Sequence, residues 1–281
     1  VPWIDCFTAP CKGGCPIHQD IPEYIELCRK GLYGPALKLI TEKNALPFIT
    51  GTICAHRCQT KCSRNFYEES VQIRDTKLIA AEHGYGALMA SIKAPAKVAG
   101  KKAAIIGGGP TGIAAAYFLG RAGIETTIYH IGPAPVGGCV GCGGCAKAGH
   151  CVFGGPVVDV LPLVEKADGI VFGAPVHYAT AAGSMLGFMH RLAYSAGRYL
   201  RHKPAAIVTS ARRAGTTTAI EAMEKIPQFY EMPLISSTYW PMVHGTSGDQ
   251  VALDEEGCQI MRNLGTNMAW LLKCIEAGKA A

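Results

Sequence analysis

The chain has little charge and no long apolar run. Only 17% of its 281 residues are Asp, Glu, Lys or Arg, and nothing else in the composition points to disorder. No window reaches eighteen uninterrupted apolar residues, so no membrane-spanning helix is expected. The opening VPWIDCFTAPCKGG lacks the charged-then-apolar order of a secretory signal, and no internal repeat or low-complexity tract is visible. A cytoplasmic protein is the expectation. The formal charge is +6, but the basic residues are scattered beyond short clusters such as GKK and RYLRHK, which argues against nucleic acid. Cofactor phosphates or a mildly basic solvated surface account equally well for that charge.

Glycine and cysteine are plentiful instead, at 34 and 13 residues, and 49% of positions are hydrophobic. That apolar content supports one large core or two smaller ones. Glycine at this level favours turns in which the backbone comes close to a ligand. In a reducing compartment clustered cysteines are not expected to be disulfides and call for a metal or redox role.

Three blocks are predicted. Residues 1–92 contain two helix-like stretches, IPEYIELCRKGL and YGPALKLITEK, the first with Ile21, Tyr24, Ile25 and Cys28 on one face. Residues 93–102 read as a linker, because Pro, Gly and Lys there offer no apolar face. Residues 103–281 alternate strand and helix patterns. AAIIG, ETTIYH, GIVFGAPVHY, AAIVTSA and LISSTYW read as five strands, separated by stretches such as TGIAAAYFLGRAG, AAGSMLGFMHRLAYS and TTTAIEAMEKIPQFY, and a helical stretch closes the chain. This alternation predicts a doubly wound parallel α/β sheet of order 2-1-3-4-5.

CFTAPCKGGCP supplies Cys6, Cys11 and Cys15, and GTICAHRCQTKCSR supplies Cys54, Cys58 and Cys62. Six thiolates exceed what one tetrahedral zinc needs, and the ending C-x3-C-P matches the last part of a bacterial ferredoxin run. Iron–sulfur clusters are the leading reading and zinc the alternative. Cys28, on an apolar helix face, reads as a small core residue. With CKGGCPIHQDIPEYI, NALPFITGTICAHRC and IIGGGPTGIAAAYFLGRAGIE, residues 1 to about 130 resemble the amino-terminal iron–sulfur segment and first FAD-binding turn of the group containing glutamate synthase small subunit, dihydropyrimidine dehydrogenase and selenate reductase relatives. The resemblance implies electron passage among reduced nicotinamide, FAD and two 4Fe-4S clusters. It places one cluster on Cys6, Cys11 and Cys62, with Trp3 standing where the family has a cysteine. The other falls on Cys15, Cys54 and Cys58, with Lys77 standing where the family has Glu or Gln, so each is one protein ligand short.

Gly107, Gly109 and Gly112 form G-x-G-x-x-G directly after a strand and before a helix, the context of a dinucleotide phosphate turn. The glycines let backbone approach phosphate, and the helix amino terminus supplies NH groups. His130 stands where the acidic ribose partner is expected.

From about Gly123 onward the sequence resembles a second family. GIETTIYHIGPAPVGGCVGCGGCAKAGHCVF, EKADGIVFGAPVHYATAAGSMLGFMHR, TSARRAGTTTAIEAM, SSTYWPM and GTNMAWLLK follow the motif order of the flavodoxin-like NAD(P)H-dependent FMN reductases and iron–sulfur flavoproteins. That resemblance implies FMN, with FAD as the alternative, at the carboxyl ends of the parallel strands. It also implies a homo-oligomer. In the GAPVHY loop Pro175 is read as fixing a turn, backbone NH groups near Val176 as flavin donors, and His177 or Tyr178 as bordering the ring. At the next strand end Ser210, Arg212 and Arg213 offer hydroxyl and guanidinium groups for phosphate or reduced flavin, or else serve as surface ion-pair partners. Trp240 either covers the pocket or lies in the core. The two resemblances meet inside one strand–turn–helix unit, which must then act as the first strand, helix and second strand of the flavodoxin-like sheet.

Cys139, Cys142, Cys145 and Cys151 fit C-x2-C-x2-C-x5-C. Zinc sites commonly separate two C-x2-C pairs more widely, and a redox pair would leave two cysteines unexplained, so a 4Fe-4S cluster is preferred. The leading function is an NAD(P)H-dependent flavin oxidoreductase passing electrons to iron–sulfur clusters or a small acceptor. No catalytic side chain is required, and Ser184 with His177 fits no triad. The competing functions are a non-catalytic electron-transfer module of a larger reductase and a zinc-stabilised binding protein.

Overall fold

The computed structural model describes residues 8–15, 17–93, 100–107, 110–246, 248–251 and 254–279. The chain divides into two units, Val1–Lys93 with Ala252–Glu256, and Ala94–Val251 with Gly257–Ala281. Trp3, Cys6, Gly109 and residues 94–99 of the expected linker lie outside the described residues.

The first unit is helical. Helices Ile21–Arg29 and Tyr33–Thr41 form where periodicity placed them, the first opening with Pro22 in its first turn. Ile21 and Tyr24 are each 1% exposed and pack with Ala36, Ile40, Ile73 and Ala80, while Cys28 is half-buried against that cluster. A 19-residue helix, Ile73–Ser91, was not expected from the sequence. Its buried stripe is Ile73, Lys77, Ala80, Ala81, Gly84 and Leu88, helically spaced but built largely of small residues and a lysine, so its apolar signal is weak.

Asp20 ties two cysteine-bearing segments of this unit together. It pairs with Lys12 and, at 2.8 Å, with Lys43, whose ammonium also donates to the His18 carbonyl at 2.8 Å. The two cations hold the Asp20 carboxyl below its ordinary value, Lys12 more strongly than Lys43.

The second unit is a parallel sheet with helices on both faces. Its strands are β1 (Lys102–Ile106), β2 (Glu125–Tyr129), β3 (Gly169–His177), β4 (Thr180–Ala181), β5 (Ala205–Ala211) and β6 (Met242–His244). The five parallel strands run β2-β1-β3-β5-β6, which is the expected 2-1-3-4-5 once the small β4, antiparallel to β3, is set aside. The central strands are apolar on both faces, as a sheet covered on both sides requires. Ile106, Phe172 and Ile207 face one core together with residues of helices Gly183–Ala196 and Thr216–Phe229. Ile105, Val171 and Val208 face the other, with residues of helices Pro110–Arg121 and Glu255–Lys279.

Two details differ from expectation. LISSTYW is not a strand: Leu234 makes a single bridge to Ala205, and the fifth parallel strand is the following Met242–His244. The polar residues of that stretch bond to the C-terminal helix instead of a ladder, with Ser237 donating to the Ile260 carbonyl at 2.7 Å and Asn267 donating to the Ser236 carbonyl at 2.9 Å. Near the expected linker, β1 begins at Lys102, and Lys101 is 7% exposed, paired with Asp168 at 3.2 Å and Glu276 at 2.5 Å. Among the described residues no helix is long and apolar enough to cross a membrane.

Because the Asp20 carboxyl is depressed, its stabilising contribution is present above the unfolded carboxylate value of about 4 and disappears as pH falls through the lower folded value. Asp20→Asn should therefore cost about 1 kcal/mol at pH 7, a magnitude set by partly exposed ion pairs. That difference from wild type should shrink below about pH 4 in urea titrations.

Candidate functional site

The chain crosses from β2 on one side of β1 to β3 on the other, so the switch point lies at the carboxyl ends of β1 and β3, where open α/β sheets bind ligands. Gly107 follows β1 with φ +131°, and a Cβ there would stand 2.5 Å from the Gly173 carbonyl oxygen on β3. A Cβ on Gly112 would stand 2.1 Å from the Gly107 carbonyl oxygen. These two glycines are thus demanded by backbone packing at the switch point. His130 does not replace a ribose-binding carboxylate here: its ring nitrogen accepts from the Gly132 NH at 3.3 Å.

The GAPVHY and SARRAG segments meet at this edge. Pro175 is paired in register with Ser210 and lies within β3, not at a turn. The turn is Tyr178–Ala179, flanked by the antiparallel pairs Val176 with Ala181 and His177 with Thr180. Both turn residues have positive φ, +49° and +61°, the two-residue hairpin geometry that normally selects Asn-Gly. Tyr178 is fully solvent-exposed, His177 is exposed and Val176 half-buried. The SARRAG loop is close: a Cβ on Gly215 would stand 2.5 Å from Ala179 Cα. Ser210 is half-buried, and Arg212 and Arg213 are exposed, with no carboxylate paired to either among the described residues. The surface ion-pair reading of these arginines therefore finds no partner there. Two unpaired guanidiniums beside a strained hairpin suit an anionic, planar ligand such as a flavin phosphate ester.

Ser184 and His177 share no hydrogen bond among the described residues, and the Ser184 hydroxyl accepts from the Val136 NH at 3.3 Å. Trp240 does not lie in the core. It is 52% exposed, stacked edge-on against Tyr239, and lines a groove with Glu224 and Leu234.

The C-x2-C-x2-C-x5-C segment folds as one nest. Cys139, Cys142, Cys145 and Cys151 line a common pocket with Val140, Val152 and Phe153. Left-handed Gly141 and Gly143, φ +66° and +71°, carry the chain round it. Cys139 and Cys142 are exposed, Cys145 half-buried and Cys151 buried. Helix Gly183–Ala196 anchors the nest, with Cys145 Sγ donating to the Tyr194 carbonyl at 3.9 Å and Arg191 Nε donating to Cys151 Sγ at 3.2 Å. Burial raises the Tyr230 hydroxyl, and neighbouring Tyr194, Cys139 and Cys145 add to the rise.

The amino-terminal cysteines sort into two groups. Cys15, Cys54 and Cys58 interact with one another and with Lys77, and Cys11 interacts with Cys62. Burial pushes the Cys58 thiol up to about 12, Cys15 and Cys54 adding to it and Lys77 opposing. Burial also raises Cys15 and Cys11. Lys77 is 5% exposed and lowered by burial, the three thiols opposing that shift, and it has no carboxylate partner among the described residues. The described cysteines are free thiols, and among the described residues no group of three or more His, Cys, Asp or Glu is placed to hold a single metal ion. Cys139, Cys142, Cys145 and Cys151 on one pocket are the donor set a 4Fe-4S cluster takes, one thiolate for each iron. Sequence reasoning missed Arg191 altogether. Its signal was a charged residue in the buried phase of an apolar helix, between Phe188 and Leu192.

The doubly wound sheet and the cysteine-rich helical unit together are of the flavin and iron–sulfur oxidoreductase class. Residues 98–247 match the NADPH-dependent FMN reductase family over more than half the chain, and the chain belongs to that family. Residues 3–86 match dihydropyrimidine dehydrogenase domain II, 4Fe-4S cluster. FMN and iron–sulfur clusters are the cofactors these two regions imply. Among similar proteins, YgfK of Escherichia coli (strain K12) is 45% identical over 130 residues, covering 46% of this chain and 13% of its own. The NADPH-Fe(3+) oxidoreductase subunit beta of Geobacter sulfurreducens (strain DL-1 / KN400) is 38% identical over 136 residues, covering 48% of this chain and 20% of its own. The glutamate synthase [NADPH] small chain of Bacillus subtilis (strain 168) is 31% identical over 135 residues, covering 45% of this chain and 27% of its own. The chain thus spans about an eighth to a quarter of these relatives' lengths.

Replacing Tyr178-Ala179 by Asn-Gly should stabilise the flavin-free protein by about 1–2 kcal/mol in denaturant unfolding, because both left-handed positions are relieved. Lys77→Met should raise the melting temperature of metal-free protein, since it removes a buried ammonium that no carboxylate answers. Scanning calorimetry of the apo forms checks the second outcome.

Proposed function

We propose that residues 103–281 bind FMN and accept reducing equivalents from NADH or NADPH, and that the electrons leave through the cysteine-held clusters or to a small acceptor. Residues 1–92 serve as an iron–sulfur domain, and the working protein is a homo-oligomer. The arrangement at the carboxyl edge of β1, β3 and β5 supports this reading above all: a glycine turn, a strained hairpin and two unpaired arginines converge where the fold places ligands. When bound, the flavin supplies hydride acceptance and the iron–sulfur groups supply single-electron relay, so the protein needs no nucleophile or general base.

The chain's own residues have simpler tasks. Arg212 and Arg213 hold phosphate or the charge of reduced flavin by forked hydrogen bonds. Val176, His177 and Tyr178 offer a rigid hairpin edge for an aromatic ring, Ser210 a hydroxyl, and Gly107, Gly109 and Gly112 backbone close to phosphate. Cys139, Cys142, Cys145 and Cys151 provide four sulfur donors for one cluster. Upstream, Cys15, Cys54 and Cys58 provide three, with Lys77 beside them. Cys6, Cys11 and Cys62 complete the assignment.

Anaerobically purified protein should release FMN on chromatography and contain iron and acid-labile sulfide, and its flavin band should bleach with NADH or NADPH. Arg212→Ala and Arg213→Ala should each weaken flavin binding about 10–100-fold, since a charged hydrogen bond contributes about 1.5–3 kcal/mol. Flavin-loaded protein that neither nicotinamide reduces would favour a non-catalytic relay module instead, and colourless protein containing zinc would sink both readings.

A further inference from the structure

Arg191 is the least expected charge in the second unit. It sits on the packed helix Gly183–Ala196 and is 8% exposed. Its Nε donates to Cys151 Sγ at 3.2 Å, its Nη2 donates to the Gly154 carbonyl at 2.6 Å, and its guanidinium carbon lies 6.0 Å from the Phe153 ring centroid. No carboxylate pairs with it among the described residues. A guanidinium does not shed its proton at any working pH, and a buried cation facing only neutral groups is strongly unfavourable. Neutral thiols would leave Arg191 in that condition. Four thiolates around an iron–sulfur core would not, because such a group carries net negative charge.

We propose that Arg191 is the counter-charge that raises the reduction potential of the cluster held by Cys139, Cys142, Cys145 and Cys151. The inference rests on reading that nest as a cluster site. Reduction adds one electron from the reduced flavin and converts one iron(III) to iron(II), with no bond made or broken. It adds one negative charge, so attraction to a fixed cation beside one sulfur is greater in the reduced form. Cys151 and Arg191 are each 8% exposed, so the cation meets the cluster on its buried side, where water screens the attraction least. Arg191 keeps its charge throughout, so its own contribution to the midpoint does not vary with pH.

The experiment is a potentiometric titration of the full chain with dithionite, monitored by electron paramagnetic resonance. It follows the signal that the Cys139→Ser/Cys142→Ser variant lacks, with iron and sulfide counted in each sample. Arg191→Met should retain the signal and shift its reduction equilibrium at least tenfold toward the oxidised form, which is 59 mV for one electron. Arg191→Lys, which keeps the charge, should recover most of that shift. Arg191→Met with wild-type iron content and an unchanged midpoint overturns the inference while leaving the cluster reading intact. A midpoint in Arg191→Lys as low as in Arg191→Met overturns the role of charge, and loss of iron from both variants makes Arg191 purely structural. If Cys139→Ser/Cys142→Ser changes neither iron, sulfide nor spectrum, the cluster reading of the nest itself fails.

Discussion

A cation taken out of water has to be answered by negative charge nearby. Lys77 and Arg191 are both buried, both lack a carboxylate partner among the described residues, and both stand beside cysteine sulfur. Neither arrangement is comfortable while the cysteines are protonated thiols, and burial favours just that form at Cys15 and Cys58. The pressure therefore runs in one direction in each unit. An occupant that binds thiolates relieves the buried cation and the buried thiols together, and metal binding is in this sense coupled to the stability of the fold.

The sheet answers a different constraint. β1 lies between β2 and β3, and its residues Ala103 through Ile106 are almost wholly buried, so this strand has to be apolar on both faces. The turn that follows it comes close enough to β3 that side chains are excluded at Gly107 and Gly112. A glycine-rich turn of dinucleotide-binding type thus satisfies the packing of an FMN reductase-type sheet, whatever phosphate it holds. The family match beginning at residue 98 takes in this whole strand–turn–helix unit, and here its strand lies between the edge strand β2 and the central β3.

The parallel order and most of the helices were legible because each rests on a local pattern: strand–helix alternation and period 3.6. What escaped was set by tertiary context. LISSTYW has strand-forming residues, but Ser237 and Asn267 bind it to the C-terminal helix. Pro175 reads as a turn former, yet it is exposed, and its carbonyl accepts from the Ala182 NH at 3.0 Å at the end of β3, so the missing NH costs the strand little. The helix Ile73–Ser91 hid behind small residues, and Lys77 and Arg191 behind the rule that charges face solvent.

That last failure carries information. A lysine or arginine in the buried phase of a helix breaks the local pattern at a cost in stability, and such breaks gather where a site requires them. In this chain both breaks fall beside cysteines. The asymmetry of the nest gives the second one a direction: Cys151 and Arg191 lie on the buried side, Cys139 and Cys142 on the exposed side. A cluster held there would have fixed positive charge on its inner side and its outer sulfurs facing solvent, and these two demands are compatible because different residues meet them.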